Sequence, residues 1–194
     1  MSMTQVGLKQ QVAGHFLVHW GVPKDFHLRR PLADGLDLAI MEFPPGGERE
    51  TYRFATNGVS GIPQDSGDTS VRTELYACSR GSHPWVIELL DALARYPMRH
   101  HTYLSEYDTI SVGPIDRDRS PFAAILLAPP GAEEKDTLGA IATDYAEATL
   151  VHQVVGIFED ECELAIEEGG EELWQRLSAL GRGLALDAER QSVA

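Results

Sequence analysis

The sequence has no apolar run long enough to cross a bilayer, and its first residues do not have the pattern of a signal peptide. Its longest apolar run covers residues 122–128, whereas a membrane-spanning helix needs about 20 apolar residues. The N-terminal stretch MSMTQVGLKQQ lacks the basic region and the apolar core of a secretory signal. We therefore expect a cytoplasmic protein that does not bind membranes.

Cysteine is scarce. Cys78 and Cys162 are the two cysteines in 194 residues, and they form no CxxC pair. A chain of this length buries roughly 70% of its unfolded surface, so it needs neither a disulfide nor a metal ion for stability. The spacing predicts two reduced thiols.

Catalytic and metal-binding motifs are also missing. The sequence contains no GxSxG elbow, no phosphate-binding loop and no GxGxxG. His15 and His19 have the spacing of two zinc ligands, but Phe16 stands where a metalloprotease needs a glutamate. His152 lies in an apolar segment and is expected to be a hydrogen-bonded core residue. We expect no metal site, no cofactor and no catalytic residue.

Basic residues are few. The chain has 16 Lys and Arg against 30 Asp and Glu, a formal net charge of −14, which argues against binding to nucleic acid. The excess is concentrated in residues 159–172, EDECELAIEEGGEE, which contain no Lys or Arg. This run is either a solvated helix surface that keeps the protein soluble or a field that attracts a basic partner.

The hydrophobic pattern predicts a single α+β domain over residues 1–194, with helices packed on a mixed, mostly antiparallel sheet. Helices are expected at residues 5–20, at 83–96 with Pro97 ending the helix, and in two acidic pieces within 159–181. Strands are expected at residues 36–43, 50–56, 71–79, 108–115, 122–130 and 148–158. Residues 131–147 follow no clear period.

The strand at 71–79 carries an unusual polar pattern. Period two places Arg72, Glu74 and Tyr76 on one face, opposite an apolar face that we expect to be the core. The charged pair is either an ion pair on an exposed sheet or a polar anchor that organises the preceding loop or holds a ligand. That loop, 61–70, follows an Asn57-Gly58 turn signal and is long enough to suggest a function.

Taken in order, these segments resemble the suppressor of fused family, specifically its N-terminal globular domain and its stand-alone bacterial versions. The matching segments are YRFATNGVS, RTELY, HPWVIELLDALARYP, DTISVGPI, FAAILLAPP, LVHQVVGIFEDECELAIEEGGEELWQRL and the closing DAERQSV. The helix that begins near Trp85 is the most specific of them. The resemblance makes Asn57, Gly58, Ser60 and Trp85 structural signatures of the fold.

The resemblance implies a non-enzymatic fold that binds other proteins. The animal member restrains a transcription factor of the Hedgehog pathway and clamps an extended peptide between two lobes. This sequence matches the first lobe, so that role is not carried over. The implied contacts on this lobe lie in the loop 61–70, here with Asp65 and Asp68.

For stand-alone bacterial members, the resemblance implies an immunity protein that neutralises a toxin by direct binding. The acidic composition agrees with a basic toxin domain as the protein partner. The expected contact residues are Asp65, Asp68, Arg72, Glu74, Tyr76, Glu167, Glu168, Glu171 and Glu172. The alternatives are a scaffold or regulatory module with another partner, and an unrecognised enzyme that uses the Arg72/Glu74/Tyr76 face with His83 or His100. The sequence does not indicate an oligomeric state.

Overall fold

A computed structural model describes residues 3–33, 35–47, 49–65, 70–112, 122–131, 138–143, 148–179, 184–186 and 190–194. The helices are α1 (Met3–Trp20), α2 (Pro84–His100), α3 (Glu159–Glu168) and α4 (Gly170–Ser178). The strands are β1 (Asp25–Leu28), β2 (Ala39–Phe43), β3 (Tyr52–Asn57), β4 (Gln64–Asp65), β5 (Ser70–Ser79), β6 (Thr109–Ile110), β7 (Ala124–Ala128), β8 (Ala140–Ile141) and β9 (Thr149–Ile157). No helix in these ranges has the length and hydropathy needed to span a membrane.

The strands form one mixed sheet in the order β1-β2-β3-β5-β9-β7-β6, with β4 beside β5 and β8 beside β9. The pairs β2–β3 and β3–β5 are antiparallel, as the short or polar connections predict, and β1 also pairs with β2 antiparallel. The β5–β9 pair is parallel, because the chain between them crosses over through α2 and returns. Every residue of β7 is buried, which confirms that this apolar segment is a central strand.

Helices cover both faces of the sheet. On one face, α2 packs on Leu75 and Val154. On the opposite face, α1 packs on Tyr76 and Val151, and α3 and α4 pack farther along on Val155 and its neighbours in β7. Both faces of β5 therefore lie between layers, so of the two alternatives the exposed sheet face does not describe Glu74 and Tyr76, which are both 0% exposed.

The first helix forms as predicted. Val12 and Phe16 are fully buried and Trp20 is 4% exposed, so the four-residue spacing marks the face against the sheet. Gly21 ends the helix with a φ of 81°, and its N–H donates to the Leu17 carbonyl at 2.9 Å. This is the left-handed position that favours glycine after a helix.

The expectation that Pro97 ends α2 is wrong. The helix continues to His100, and His101, with a φ of 52°, caps it in the left-handed region. Proline lacks the N–H that would bond one turn back, but Pro97 is buried and the helix continues past it for less than one turn. His100 is thus the last helical residue.

Three short strands were not predicted. β1 is four residues at one edge of the sheet, and β8 lies within residues 131–147, where the sequence showed no period. β4 pairs with the start of β5, Gln64 opposite Val71 and Asp65 opposite Ser70, so these two parts of the chain lie side by side. Segments this short contain too few residues to show a hydrophobic period.

Candidate functional site

The Glu74 carboxylate is enclosed by the turn that follows β3. Glu74 is 0% exposed, and its Oε1 accepts hydrogen bonds from the Gly58 N–H (3.0 Å), the Ser60 N–H (3.0 Å) and the Ser60 hydroxyl (2.6 Å). Its Oε2 accepts one from the Thr56 hydroxyl at 2.6 Å. We call Glu74 with Thr56, Gly58 and Ser60 the carboxylate clasp. It ties the YRFATNGVS segment to RTELY.

Thr56 lies just past the point where the pairing of β3 with β5 ends, while β3 stays paired with β2 through Asn57. Its hydroxyl oxygen accepts from the Leu75 N–H at 2.8 Å, in the place of a backbone carbonyl. The ladder between β3 and β5 ends at Ala55 opposite Tyr76, so this side chain continues the pairing by one step. The buried Leu75 N–H thus has an acceptor, which a backbone N–H away from water requires.

Gly58 is the residue that lets the turn close. Its φ is 136°, and a Cβ at this position would lie 2.5 Å from the Asp37 carbonyl oxygen. The N–H of Gly58 can then point at Glu74 while the chain enters a short 3-10 helix at Val59–Gly61. The Asn57-Gly58 signal therefore starts the clasp and does not form a two-residue hairpin.

The other predicted members of this strand also have internal roles. Arg72 is half-buried, and its guanidinium donates to the Ser60 carbonyl at 2.6 Å, which supports the same turn. Tyr76 is 0% exposed; its hydroxyl donates to Gln153 Oε1 at 3.0 Å and accepts from the Gly131 N–H at 3.3 Å. Burial raises the pKa of Tyr76 far above its usual value.

The prediction that Glu74 and Tyr76 contact a partner is wrong, because both side chains are buried and neither reaches the surface. Because Glu74 is 0% exposed, the strand does not present an Arg72–Glu74 ion pair to solvent. Of the two interpretations of the strand, the polar anchor agrees with the structure, because Glu74 and Arg72 both bond to the turn that leads into the loop 61–70. In the alternative enzyme site, Glu74 was expected beside His83 or His100, but its carboxylate is bonded to Thr56, Gly58 and Ser60. His83 stacks on Trp85 and His100 lies against Tyr96, both within or beside α2.

Two further signature residues are buried, and one predicted contact lies outside the described residues. Trp85 is 5% exposed in the core beneath α2, and Asn57 is 6% exposed at the end of β3. Asp65 lies in β4, where its backbone pairs with Ser70. Asp68 lies outside the described ranges.

The acidic run forms α3 and α4, joined at Gly169 and Gly170. Leu173, Trp174 and Leu177 are buried against the sheet. Gly170 fits because a Cβ there would lie 2.1 Å from the Tyr107 carbonyl oxygen. The helical hairpin is therefore fixed against the strands, and its outer side is held in one orientation.

The carboxylates of this hairpin differ in their partners. Arg176 pairs with Glu168 at 2.7 Å and with Glu172 at 3.1 Å. The acidic surface that remains is exposed and has no ion pair with another described residue. We call it the acidic face; it consists of Glu159, Asp160, Glu163, Glu167 and Glu171. Two of the four carboxylates expected to bind a partner are thus already neutralised within the chain.

Glu161 belongs to the acidic run but not to its surface. It is 0% exposed, and the Arg190 guanidinium binds both of its oxygens, with Nη2 to Oε2 at 2.6 Å. Arg190 also donates to the Gly156 carbonyl at 2.7 Å and lies 4.6 Å from the centre of the Phe158 ring. Sequence reasoning missed this pair, although the DAERQSV ending that contains Arg190 marked the segment.

The histidines do not form a metal site in the described part of the chain, where no group of three metal-ligating side chains occurs. His15 and His19 lie edge to face on α1, 4.8 Å apart. His152 is 1% exposed, and burial lowers its pKa to about 4, an effect that the Leu104 backbone partly offsets. Cys78 and Cys162 are free.

Comparison with solved structures shows the same fold in three proteins. A suppressor of fused homologue from Neisseria gonorrhoeae FA 1090 has a TM-score of 0.73 at 19% identity, covering 97% of this chain and 98% of that one. A Sufu–Fu complex gives 0.70 at 19% identity, covering 96% and 92%. Suppressor of Fused from Drosophila gives 0.65 at 18% identity, and this chain, covered over 98% of its length, spans 51% of that protein.

No curated protein matches the chain. The model of the family described as suppressor of fused protein matches residues 33–191, which include the carboxylate clasp, the acidic hairpin and Arg190. It is a protein-interaction family, with one similar structure containing Sufu together with Fu. The chain therefore belongs to the suppressor of fused family.

Proposed function

We propose that this protein is a cytoplasmic immunity protein that neutralises a basic toxin by direct binding through the acidic face. The observation that carries the proposal is the set of exposed carboxylates on α3 and α4 that no cation of the described chain neutralises. With a net charge of −14, they attract a basic partner over long range and speed its association.

An exposed apolar side chain lies beside these charges. Ile166 is 76% exposed on α3, one helical turn from Glu163 and next to Glu167. Interfaces combine a central apolar contact with a charged rim, since the first contributes affinity and the second orients the partner. The acidic face provides both on a rigid hairpin.

The loop 61–70 is a second proposed contact. Its two ends are held by the β4–β5 pairing, and the carboxylate clasp fixes the chain that leads into it. Asp65 and Asp68 are its proposed acidic contacts. Arg72 supports the loop through the Ser60 carbonyl, so its replacement would act through the loop's position.

The test begins with the gene next to the one that encodes this chain. We expect it to encode a secreted protein with a basic toxin domain, and co-expression of this chain should rescue cells from that domain. The purified pair should bind tightly at low salt and more weakly as salt increases, since exposed charges are screened.

Charge reversal then tests the surface. The triple variant E163K/E167K/E171K removes acidic-face carboxylates that have no arginine partner, whereas the control E50K/E88K/E106K changes the net charge equally at exposed positions outside α3 and α4. The first should weaken binding at least about tenfold, on the order of 0.5 kcal/mol per rim charge. Equal affinity of both variants would reject the acidic face, and capture of a non-toxic partner would indicate a scaffold.

A further inference from the structure

The sheet has an open edge at β1. Among the described residues, only β2 pairs with this strand. The Arg29 N–H donates to the Leu38 carbonyl at 2.9 Å, and inward and outward groups alternate along an antiparallel pair. The backbone groups of Phe26 and Leu28 therefore point away from the sheet. The Phe26 N–H is bonded to Asp25 Oδ1 at 2.7 Å, so the Leu28 N–H and the two carbonyls are open to another strand.

Apolar side chains follow this edge. Phe26 is 49% exposed and Leu28 is 77% exposed, and both lie on the α1 face, opposite Met41 and Ala39 of β2. Val22, just before the strand, is 81% exposed. An exposed apolar edge strand is a template for pairing with another chain.

The edge strand is held firmly in place. Glu42 of β2 is 2% exposed, and its carboxylate bonds to the Lys24 ammonium at 3.0 Å and to the His27 ring at 2.8 Å. These contacts fix the residue before β1 and a residue within it. An incoming strand would therefore meet a backbone that is already ordered, which lowers the entropy lost on binding.

A basic cleft lies where β1 ends. It is lined by Leu28, Arg29, Arg30, Asp91, Arg95 and Arg99. Asp91 pairs with Arg95 at 2.8 Å and lies 3.6 Å from Arg29, and Arg95 also donates to the Arg30 and Pro31 carbonyls. The guanidinium groups of Arg30 and Arg99 are exposed and have no ion pair with another described residue.

The charge of this cleft is opposite to that of the protein. Four arginines and one aspartate give a local charge of +3, in a chain whose net charge is −14. Symmetric pairing of β1 with β1 of a second copy would set outward residues opposite outward residues, with Lys24 opposite Arg30 and Asp25 opposite Arg29, so the charges of the strand itself would balance. The net charge of −14 on each copy opposes this pairing, whereas the local charge of +3 attracts an acidic segment. The charges therefore favour an acidic partner over a second copy.

We propose that β1 pairs with an extended acidic segment of a partner protein. The segment adds a strand beside Phe26 and Leu28, and its carboxylates enter the cleft, where Arg30 and Arg99 bind them. Main-chain hydrogen bonds supply affinity in this mode, and the cleft selects the charge. The surface is separate from the acidic face, so the proposal stands whether or not a toxin binds there.

The proposal requires strand pairing and acidic charge in the partner segment. Three labelled peptides test both requirements on the full chain: EETVTVEE, KKTVTVKK and EETPTPEE. The first has a strand-forming centre with acidic ends, and the second reverses the charge. The third replaces both valines with proline, which removes two of the centre's four N–H groups and disfavours a paired strand. We expect only EETVTVEE to shift the amide NMR signals of Leu28, Arg29 and Arg30.

Two variants locate the binding. L28P removes the outward N–H without breaking the β1–β2 ladder and should abolish binding. R30Q/R99Q should weaken it about fivefold or more, while K9Q/R80Q, with the same change in net charge, should stay within about twofold. Because L28P could disturb β1, its melting temperature is compared with that of the wild type, and R30Q/R99Q gives an independent answer.

Several results would overturn the proposal. The first is that about 1 mM EETVTVEE, a concentration that detects even weak binding, leaves the amide signals of Leu28, Arg29 and Arg30 unchanged. The second is that KKTVTVKK or EETPTPEE binds as tightly as EETVTVEE. Equal losses in R30Q/R99Q and K9Q/R80Q would also reject the cleft. A dimer that the L28P variant dissociates would show that β1 pairs with a second copy. Tighter binding of single-stranded DNA than of EETVTVEE would show that the cleft binds phosphate.

Discussion

Replacing Glu74 with alanine tests whether the carboxylate clasp holds the fold together. The E74A variant removes both oxygens that accept hydrogen bonds from Thr56, Gly58 and Ser60, at a site that is 0% exposed. The Thr56 hydroxyl has a second acceptor, the Leu75 carbonyl at 3.3 Å. The N–H groups of Gly58 and Ser60 would be left without a partner in the protein interior.

The expected loss follows from those two donors. A buried donor without an acceptor costs about 1–3 kcal/mol, and the lost hydrogen bonds to a charged group add to this. We expect E74A to lower the free energy of unfolding by about 4 kcal/mol, out of the roughly 5–15 kcal/mol typical of a domain. For a chain of this length, the melting temperature would fall by about 8–16 °C.

E74Q separates hydrogen bonding from charge. The glutamine oxygen can accept from Gly58 and Ser60, and its amide can donate to the Thr56 hydroxyl. We therefore expect a smaller loss, about 1–2 kcal/mol. The control is E88A, at an exposed position on α2, which should change stability by less than about 0.5 kcal/mol. Urea unfolding followed by circular dichroism measures all three, and an E74A loss below about 1 kcal/mol would refute the reasoning.

Three further predictions use the same unfolding assay. G58A should lose about 2 kcal/mol or more, because its φ of 136° is strained for alanine and its Cβ would meet the Asp37 carbonyl; an unchanged midpoint would contradict this. R190Q should lose about 3–5 kcal/mol by leaving Glu161 buried and unpaired, and R190Q/E161Q should recover part of it if the charge is the cause. His152 has a folded pKa of about 4, below its unfolded 6.5, so its contribution is complete above pH 6.5 and falls as pH decreases toward 4. Stability should fall by about 2 kcal/mol from pH 7.5 to 5, and H152L should remove that part of the slope.

Much of the fold could be predicted because its longer elements repeat a hydrophobic period. Val12, Phe16 and Trp20 mark α1, and the uninterrupted apolar run of β7 marks a central strand. Short pieces such as β1 and β4 have too few residues for a period, so they were missed. The family resemblance rested on the order of the segments and is confirmed by the family model and by the shared fold.

The candidate site was harder, because polar residues look alike in a sequence whether they are buried or exposed. Alternation placed Arg72, Glu74 and Tyr76 on one face, but it does not show that α1 covers that face. The sequence shows that residues 159–172 are acidic. It does not show that Glu161 is buried, because this depends on Arg190, which is 29 residues away. The basic cleft joins residues of β1 and α2 that no local pattern connects.

The sequence by itself therefore determined the elements with a strong period, the turn at Asn57-Gly58, the net negative charge and the family. Tertiary structure alone decided which carboxylates are internal and which face solvent. The physical reason is that a period reports only the direction of a side chain relative to its own helix or strand. Whether that direction leads to water, to a covering helix or to a cation depends on distant segments, and these determine whether Glu74 is a clasp and Glu167 a surface charge.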